Sequence, residues 1–443
     1  MQTFRRLKKY KAREPEETVA IIRNILAECG ITVSEDKRYY EEADVYSCRI
    51  WISGGDLEYG DFGTNGKGMT ESYSLASAYA EFMERLQNLI LFGDYPEDAF
   101  NKGLTKYAVA PDEVMMNAGE CIEEAGGVLK TLFRMEDVQT SDTGRISCVP
   151  YADMINGGQI FLPHKTLRTV IGSNGMCAGN TFKEAVTQGL SEIYERAAVR
   201  EAYLNEPEIR LLHIESFKDN LIFDKLKKME ASGYGVNILD LSMGRNYPVV
   251  GLLLERNGRK AFRAGADPCP VTALERCLSE IYQGERVVVD GFFQSSCCEP
   301  FPKATNEWQR YEINDQEIAY HVDGSGKAPN CIFHPSDLFN EDYKGTDAES
   351  EASDFEYMIA LTKKLGHSLY VRDWSFLGFP AYQCIIPELS NYDLIYEDGA
   401  EVYGWSFEKT VFRNDRFTKG LSHILNKMFE KYEKNLPEQG NLL

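Results

Sequence analysis

The sequence predicts a mixed α/β (α+β) protein. Three observations carry that expectation. Helical and strand-like apolar patterns interleave along the chain. A loop of small residues leading into an acid-striped helix recurs three times, and no long proline- or serine-rich linker divides the chain. With 443 residues, 43% hydrophobic and 26% charged, the composition is that of an ordinary globular protein. A chain this long can bury a core without disulfide or metal staples.

Taken in order, Glu16 to Cys29 (EETVAIIRNILAEC) places its apolar residues at helical spacing, and Arg49 to Ser53 (RIWIS) is strand-like. A glycine-rich loop, Asp61 to Thr70 (DFGTNGKGMT), leads into a helix from Ser74 to Phe92. Leu162 to Ile171 is short and mixed. A second loop of small residues, Gly172 to Thr181 (GSNGMCAGNT), opens a helix from Phe182 to Tyr203. Asn220 to Ser232 is helical, and Gly235 to Leu241 and Tyr247 to Glu255 are strands. A third turn, Gly265 to Pro270 (GADPCP), precedes a helix from Val271 to Gly284. The acidic patch Asp342 to Asp354 is expected to be a solvated loop. Ser406 to Lys434 is expected to form a charged amphipathic tail packed on the body.

Charge and composition exclude several function classes. The net charge of −21 opposes a surface that tracks a phosphate backbone or anionic lipid, so neither nucleic acid nor membrane is an expected partner. The longest apolar runs, such as Val249 to Leu254, are too short to span a bilayer. Met1 to Arg13 has no apolar signal core, so a secretory leader is not expected. Eleven cysteines at irregular spacing include no C-x-x-C pair, which points to reduced thiols in a cytoplasmic protein. For Cys297-Cys298 a sulfur relay competes with plain burial, and burial is the commoner state. The six histidines form no H-E-x-x-H, against zinc hydrolysis; His164 and His321 are expected to be structural. No G-x-S-x-G is present. Trp51, Trp308, Trp374 and Trp405 are assigned to core or interface.

The repeat carries the functional information. The first unit reads Thr64-Asn65-Gly66-Lys67-Gly68-Met69-Thr70, then Ser77, Glu81, Glu84 and Arg85. The second reads Ser173-Asn174-Gly175, Gly179-Asn180-Thr181, then Glu192, Glu195 and Arg196. Thr70 to Glu81 and Thr181 to Glu192 span the same eleven residues, and both units end Glu-x-x-Glu-Arg. Leu278 to Tyr282 repeats the five letters of Leu190 to Tyr194, with Gln283 where the second acid would stand. Residues three and four apart share a helix face. Ser77, Glu81 and Glu84/Arg85 therefore form one polar stripe, Glu184, Gln188, Glu192 and Glu195/Arg196 a second, and Arg276, Glu280 and Gln283 a third. One such stripe is most simply a solvated face with internal ion pairs. Three, each opened by a loop of small residues, point to a shared site. Clustered carboxylates need a cation, and all-oxygen ligands select Mg²⁺. Arginines beside them suit phosphate, and the loops present N–H groups at helix N-termini. The partner expected is a nucleotide bound outside the P-loop class, because Asp61 stands where a Walker A loop needs glycine.

At these residues the sequence resembles the YcaO family of ATP-dependent enzymes. The matching segments are Thr64 to Arg85, Ser173 to Arg196 and Ala273 to Gln283, with similarity running to about Asn391 through Cys384 to Pro387 (CIIP). The pattern lies nearest the family's stand-alone enterobacterial member. The resemblance implies a YcaO-type fold with mixed sheets, and a catalytic domain over 1–395 followed by a short helical tail over 396–443. It implies ATP and Mg²⁺ as cofactors. Glu81, Glu84, Glu192, Glu195 and Glu280 match metal-binding carboxylates, with Glu184 as a further candidate. Ser77, Asn180, Arg196 and Arg276 match nucleotide contacts, joined by Lys11, Thr18 and Gln283. Cys177 stands where close relatives carry serine.

The family chemistry is activation of a backbone amide through phosphorylation of its oxygen. A Cys, Ser or Thr side chain then gives an azoline, sulfide a thioamide, and an amine an amidine. Azoline-forming members carry a Pro-x-Pro-x-Pro tail, whereas Asn435 to Leu443 holds one proline. The expectation therefore shifts toward thioamidation. The alternative is an accessory role beside a separate modifying enzyme, such as a ribosomal-protein methylthiotransferase. Expected partners are a peptide or protein substrate, a sulfur-delivery or TfuA-like protein, and a second copy in a homodimer.

Overall fold

The computed structural model describes residues 3–5, 11–54, 62–93, 95–132, 144–283, 300–302, 316–317, 320, 327–347, 350–390 and 415–435. Cys297-Cys298, His321, Trp308, Trp405, the start of the tail at Ser406 and the residues after Asn435 lie outside these.

The N-terminal third runs α1 (Pro15–Glu28), β1 (Thr32–Tyr40), β2 (Val45–Gly54), β3 (Gly63–Gly68), α2 (Glu71–Gln87), α3 (Tyr95–Asn101), β4 (Val114–Asn117) and α4 (Ala118–Leu132). The middle runs β5 (Arg145–Asp153), β6 (Gln159–Pro163), α5 (His164–Ile171), β7 (Met176–Ala178), α6 (Phe182–Asn205), β8 (Leu211–Leu212), α7 (Leu221–Ala231), β9 (Gly235–Asp240), β10 (Val249–Arg256), β11 (Arg259–Ala266) and α8 (Pro270–Ile281). After it come α9 (Asn330–Phe333), α10 (Glu351–Lys364), β12 (Tyr370–Asp373), β13 (Ala381–Ile385), α11 (Pro387–Ser390) and α12 (Asp415–Asn435).

The strands make three antiparallel sheets. Their orders are β1-β2-β3, β11-β10-β9-β8, and β4-β5-β12-β13-β7 with β6 beside β5. Each sheet ends in one strand of the repeat: β3 leads into α2, β7 into α6 and β11 into α8. The segment 61–70, expected as a loop, therefore contains a strand. It pairs with β2 from Tyr46 opposite Gly68 to Trp51 opposite Gly63. Glycine makes this possible. A Cβ at Gly66 would lie 2.0 Å from the Ser74 carbonyl and 2.4 Å from the Ala78 nitrogen, so β3 rests directly on α2. Gly265 repeats the arrangement on α8, 2.4 Å from the Ala273 carbonyl. The loop expected at 172–181 likewise contains β7, paired with β13.

β10 (VVGLLLER) explains how the sheets share a core. Val250, Leu252 and Leu254 point into a cluster with Leu274, Cys277 and Leu278 of α8, while Val249 and Leu253 enter a second cluster with Leu190, Ile193 and Tyr194 of α6. A third cluster joins α1, α2, α4 and β5. Into it α12 inserts Leu421, Ile424, Leu425, Met428, Phe429 and Tyr432. The packed tail matches expectation. The acidic patch matches over 342–347, which carry no helix or strand, but not at its end: α10 begins at Glu351 behind a Ser350 capping box. Asp354 is buried, accepting from Thr346 Oγ1 at 2.6 Å. Leu162 to Ile171 resolves into the end of β6 and α5.

His164 is buried edge-on to Trp374 at 5.0 Å, and burial pushes it down to about 3, so it stays neutral. Trp374 is core and Trp51 half-buried. All the described cysteines are buried and unbridged. Among the described residues no helix is long and apolar enough to cross a membrane.

Candidate functional site

Two of the three repeat helices are anchored alike at their starts. Thr70 accepts from the Tyr73 N–H and caps α2; Thr181 accepts from the Glu184 N–H at 3.1 Å and caps α6. Cys269 holds the same place before α8 without a side-chain cap. Eleven positions on from each cap residue stands a glutamate of the stripe: Glu81, Glu192 and Glu280. Three positions before each glutamate stands a small buried residue against its strand: Ala78 on Gly66, Gly189 on Cys177 and Cys277 on Gly265. This shared register turns the polar stripes inward, and they are half-buried.

The stripes line one cavity of about 730 Å³. Every residue singled out in the sequence borders it: Lys11, Thr18, Ser77, Glu81, Glu84, Asn180, Glu184, Glu192, Glu195, Arg196, Arg276, Glu280 and Gln283. The segment 11–18 reaches the cavity from the far end of the sequence. Lys11 pairs with Glu184 at 3.4 Å, the Ala12 N–H donates to the same carboxylate at 3.1 Å, and Thr18 Oγ1 donates to Asn180 Oδ1 at 2.8 Å. Asn180 also donates to Glu184 from its backbone and its amide, at 3.4 and 3.3 Å. Glu184 thus ties the N-terminal segment to the start of α6. Burial alone would raise its carboxyl, but Lys11, Ala12 and Asn180 outweigh it and hold it below the ordinary value.

The other carboxylates are in the opposite state. Burial raises Glu81, against the pull of Arg85 and Lys67, with Glu192 adding repulsion. Burial lifts Glu84 well above the usual range, and Glu192 and Glu81 reinforce it against Arg85. Glu195 is pushed up to about 7 by burial, Lys67 opposing and Glu192 reinforcing. Internal cations meet these acids incompletely. Arg85 approaches Glu81 at 3.5 Å and Glu84 at 3.6 Å, its Nε buried without a hydrogen-bond partner; Arg196 pairs with Glu192 at 2.5 Å. Arg276 is held by Asp267 at 2.8 Å and the Ala266 carbonyl at 2.9 Å.

Two further cations, Lys67 and Arg263, line the cavity outside the helical stripes. Lys67 Nζ pairs with Glu280 and donates to Gln283 Oε1 at 3.0 Å, and burial lowers it to about 8. Gln283, just past the end of α8, also donates to the Asn65 carbonyl at 2.9 Å. Arg263 lies over the Tyr320 ring at 5.3 Å. Neither cation repeats at helical spacing; β-strand alternation on β3 and β11 is the one signal that could have placed them.

The lining balances seven carboxylates against seven lysines and arginines, in a chain that is strongly acidic overall. The donors fit Mg²⁺: they are oxygens only, half-buried, and disfavoured as a bare anionic cluster. Among the described residues, no group of three or more His, Cys, Asp or Glu is drawn together tightly enough to hold a metal ion. The acids are spread among lysine and arginine counter-ions instead.

Residues 65–390 match the model of the YcaO family, described as YcaO cyclodehydratase, ATP- and Mg²⁺-binding. The match covers more than half of the chain and includes the whole cavity lining except Lys11, Arg13, Pro15 and Thr18. The chain is 27% identical over 414 residues to the ribosomal protein S12 methylthiotransferase accessory factor YcaO of Escherichia coli (strain K12). That alignment covers 85% of this chain and 65% of the relative, so the chain spans just under two thirds of the relative's length. Two solved structures share the fold. A heterocyclase in complex with substrate and cofactor superposes with a TM-score of 0.58 at 17% identity, over 88% of this chain and 54% of that one. YcaO from Methanopyrus kandleri, bound with AMPPCP and Mg²⁺, superposes with a TM-score of 0.52 at 16% identity, over 86% and 92%. The chain belongs to the YcaO family, and ATP and Mg²⁺ are the cofactors of the domain it carries.

Proposed function

We propose that this YcaO-family chain activates a backbone amide of a peptide or protein by ATP-dependent O-phosphorylation, then adds a sulfur nucleophile to give a thioamide. The observation that supports this most is the convergence of three acid-striped helices, with their arginines, on one cavity. Glu81, Glu84, Glu192, Glu195 and Glu280 would hold Mg²⁺, and Arg196 and Arg276 would donate to phosphate oxygens. Ser77, Asn180, Thr18 and Lys11 would contact the nucleotide, and Gln283 would do so from the end of α8. Glu184, already bonded to Lys11, Ala12 and Asn180, suits a positioning role better than that of a metal ligand. Bound Mg²⁺ neutralises charge on the transferring phosphoryl group. The chain's part is to hold donors and acceptor rigidly in line. The amide oxygen takes the γ-phosphoryl group and ADP leaves. Sulfide then adds to the activated carbon, and inorganic phosphate departs with the former amide oxygen.

We assign this chemistry to 1–395, with 396–443 as an appended tail, in a cytoplasmic homodimer served by a sulfur-delivery or TfuA-like protein. A second reading, favoured by the name of the Escherichia coli relative, is an ATP-binding accessory factor to a separate modifying enzyme. Azoline formation is a third outcome of the same activation.

Incubation with Mg-ATP, sulfide and candidate peptides, followed by phosphate release and mass spectrometry, separates them. Thioamidation exchanges oxygen for sulfur, azoline formation loses water, and an accessory factor leaves the peptide unchanged. Replacing Glu192 and Glu195 together by Ala should lower turnover by more than about a hundredfold; an unimpaired double variant would refute the assignment.

A further inference from the structure

Each acid stripe of the cavity has its own counter-cation. On α2 it is Arg85, at 3.5 Å from Glu81, and on α6 it is Arg196, at 2.5 Å from Glu192; both belong to the helix they neutralise. The third stripe differs. Arg276, on the same helix as Glu280, is committed to Asp267 and the Ala266 carbonyl. The cation on Glu280 is Lys67, which comes from β3 in another sheet and is fixed a second time by Gln283. Gln283 in turn is anchored to the Asn65 carbonyl on the same strand. The link therefore clamps the first unit of the repeat to the third across the cavity.

We propose that Lys67 is a built-in competitor of the metal: its ammonium pairs with Glu280 and competes with Mg²⁺ for that carboxylate. The inference rests on Glu280 being a metal ligand, as assigned above. An ammonium seated on Glu280 competes with a hard divalent ion for the same negative charge. Lys67 thus sets an energetic threshold for loading, while offsetting the mutual repulsion of the cavity's acids. Freed from Glu280, the flexible four-carbon stem lets Lys67 turn to an incoming phosphate as a point charge.

The test compares wild type with Lys67→Met and Lys67→Arg, using Mn²⁺ as a spin probe for the metal and thermal unfolding without nucleotide. If the competent form of the site is populated only about a tenth of the time in wild type, removing the competitor tightens Mn²⁺ binding about tenfold. Lys67→Met should show that gain together with a lower metal-free melting temperature, and Lys67→Arg should show neither. Unchanged or weaker Mn²⁺ binding in Lys67→Met, with wild type binding Mn-ATP normally, overturns the Lys67 inference and leaves the proposed function intact. Absence of Mn-ATP binding in wild type overturns both. If Lys67→Met folds only when Mn²⁺ is present, the substitution of metal for ammonium is supported directly. If Lys67→Met folds in neither condition, Lys67→Gln takes its place in the same comparison and is read by the same outcomes.

Discussion

Among the described residues, two of the regions that take charge out of water pair it in opposite ways. Arg372 in β12 is almost wholly buried and meets both oxygens of Asp112, at 2.5 and 2.6 Å, under the rings of Trp374 and Tyr432. Tyr432 belongs to α12, so this fork fastens the last helix to the body. The acids of the cavity have no such fork. Arg85 straddles Glu81 and Glu84 at 3.5 and 3.6 Å, and burial with mutual repulsion lifts both carboxyls. The bidentate pair satisfies both Asp112 oxygens, although Arg372 Nε is left without a hydrogen-bond partner, whereas a crowd of half-satisfied carboxylates is an environment that a cation improves. One region holds the fold; the other is arranged for a ligand.

The largest effect expected from breaking this contrast is at the fork. Asp112→Ala leaves Arg372 buried without its partner, and denaturant unfolding should report a loss of about 3–5 kcal/mol. The affinity of the folded remainder for Mg-ATP should not change. A surface-sized loss would mean that water reaches Arg372.

A smaller effect separates the acids of the cavity from one another by pH. Glu195 keeps its proton up to about pH 7 in the folded chain, against an ordinary value of 4.5. Its contribution to stability is therefore complete below pH 4.5 and is lost as the pH rises through 7. Glu81 and Glu84 act in the same direction. Glu184, held low, acts in the other: its contribution is present above 4.5 and is lost as the pH falls. In the ligand-free protein, Glu195→Gln should reduce the decline in stability between pH 4.5 and 7 by on the order of 1 kcal/mol, after allowance for solvent in the cavity. An unaltered pH profile would show that Glu195 is ionised throughout.

The same contrast marks what the sequence disclosed. The acid stripes were legible because a helix writes its faces at intervals of three and four, and because the interval from Thr70 to Glu81 recurs from Thr181 to Glu192. The fork was not legible: Asp112 and Arg372 stand 260 residues apart and carry no local pattern. Strand β3 was hidden for a different reason. Its glycines have the composition of a loop, yet they are required because a side chain at Gly66 would collide with α2. Lys67 went with it, a lone cation between two glycines whose partner Glu280 lies in another unit of the repeat. Only the end of the acidic patch misled through composition, since Ser350 caps a helix that buries Asp354.

The central claim is that the acid cavity binds Mg-ATP, and thermal unfolding tests it most directly. Wild type, Glu81→Ala and Glu192→Ala are melted with ATP alone, Mg²⁺ alone and both together. At roughly a hundred times its dissociation constant, Mg-ATP should stabilise the wild type by about 2.7 kcal/mol, and both variants should lose that gain. An equal shift in wild type and variants, or a shift with ATP that needs no Mg²⁺, would contradict the account.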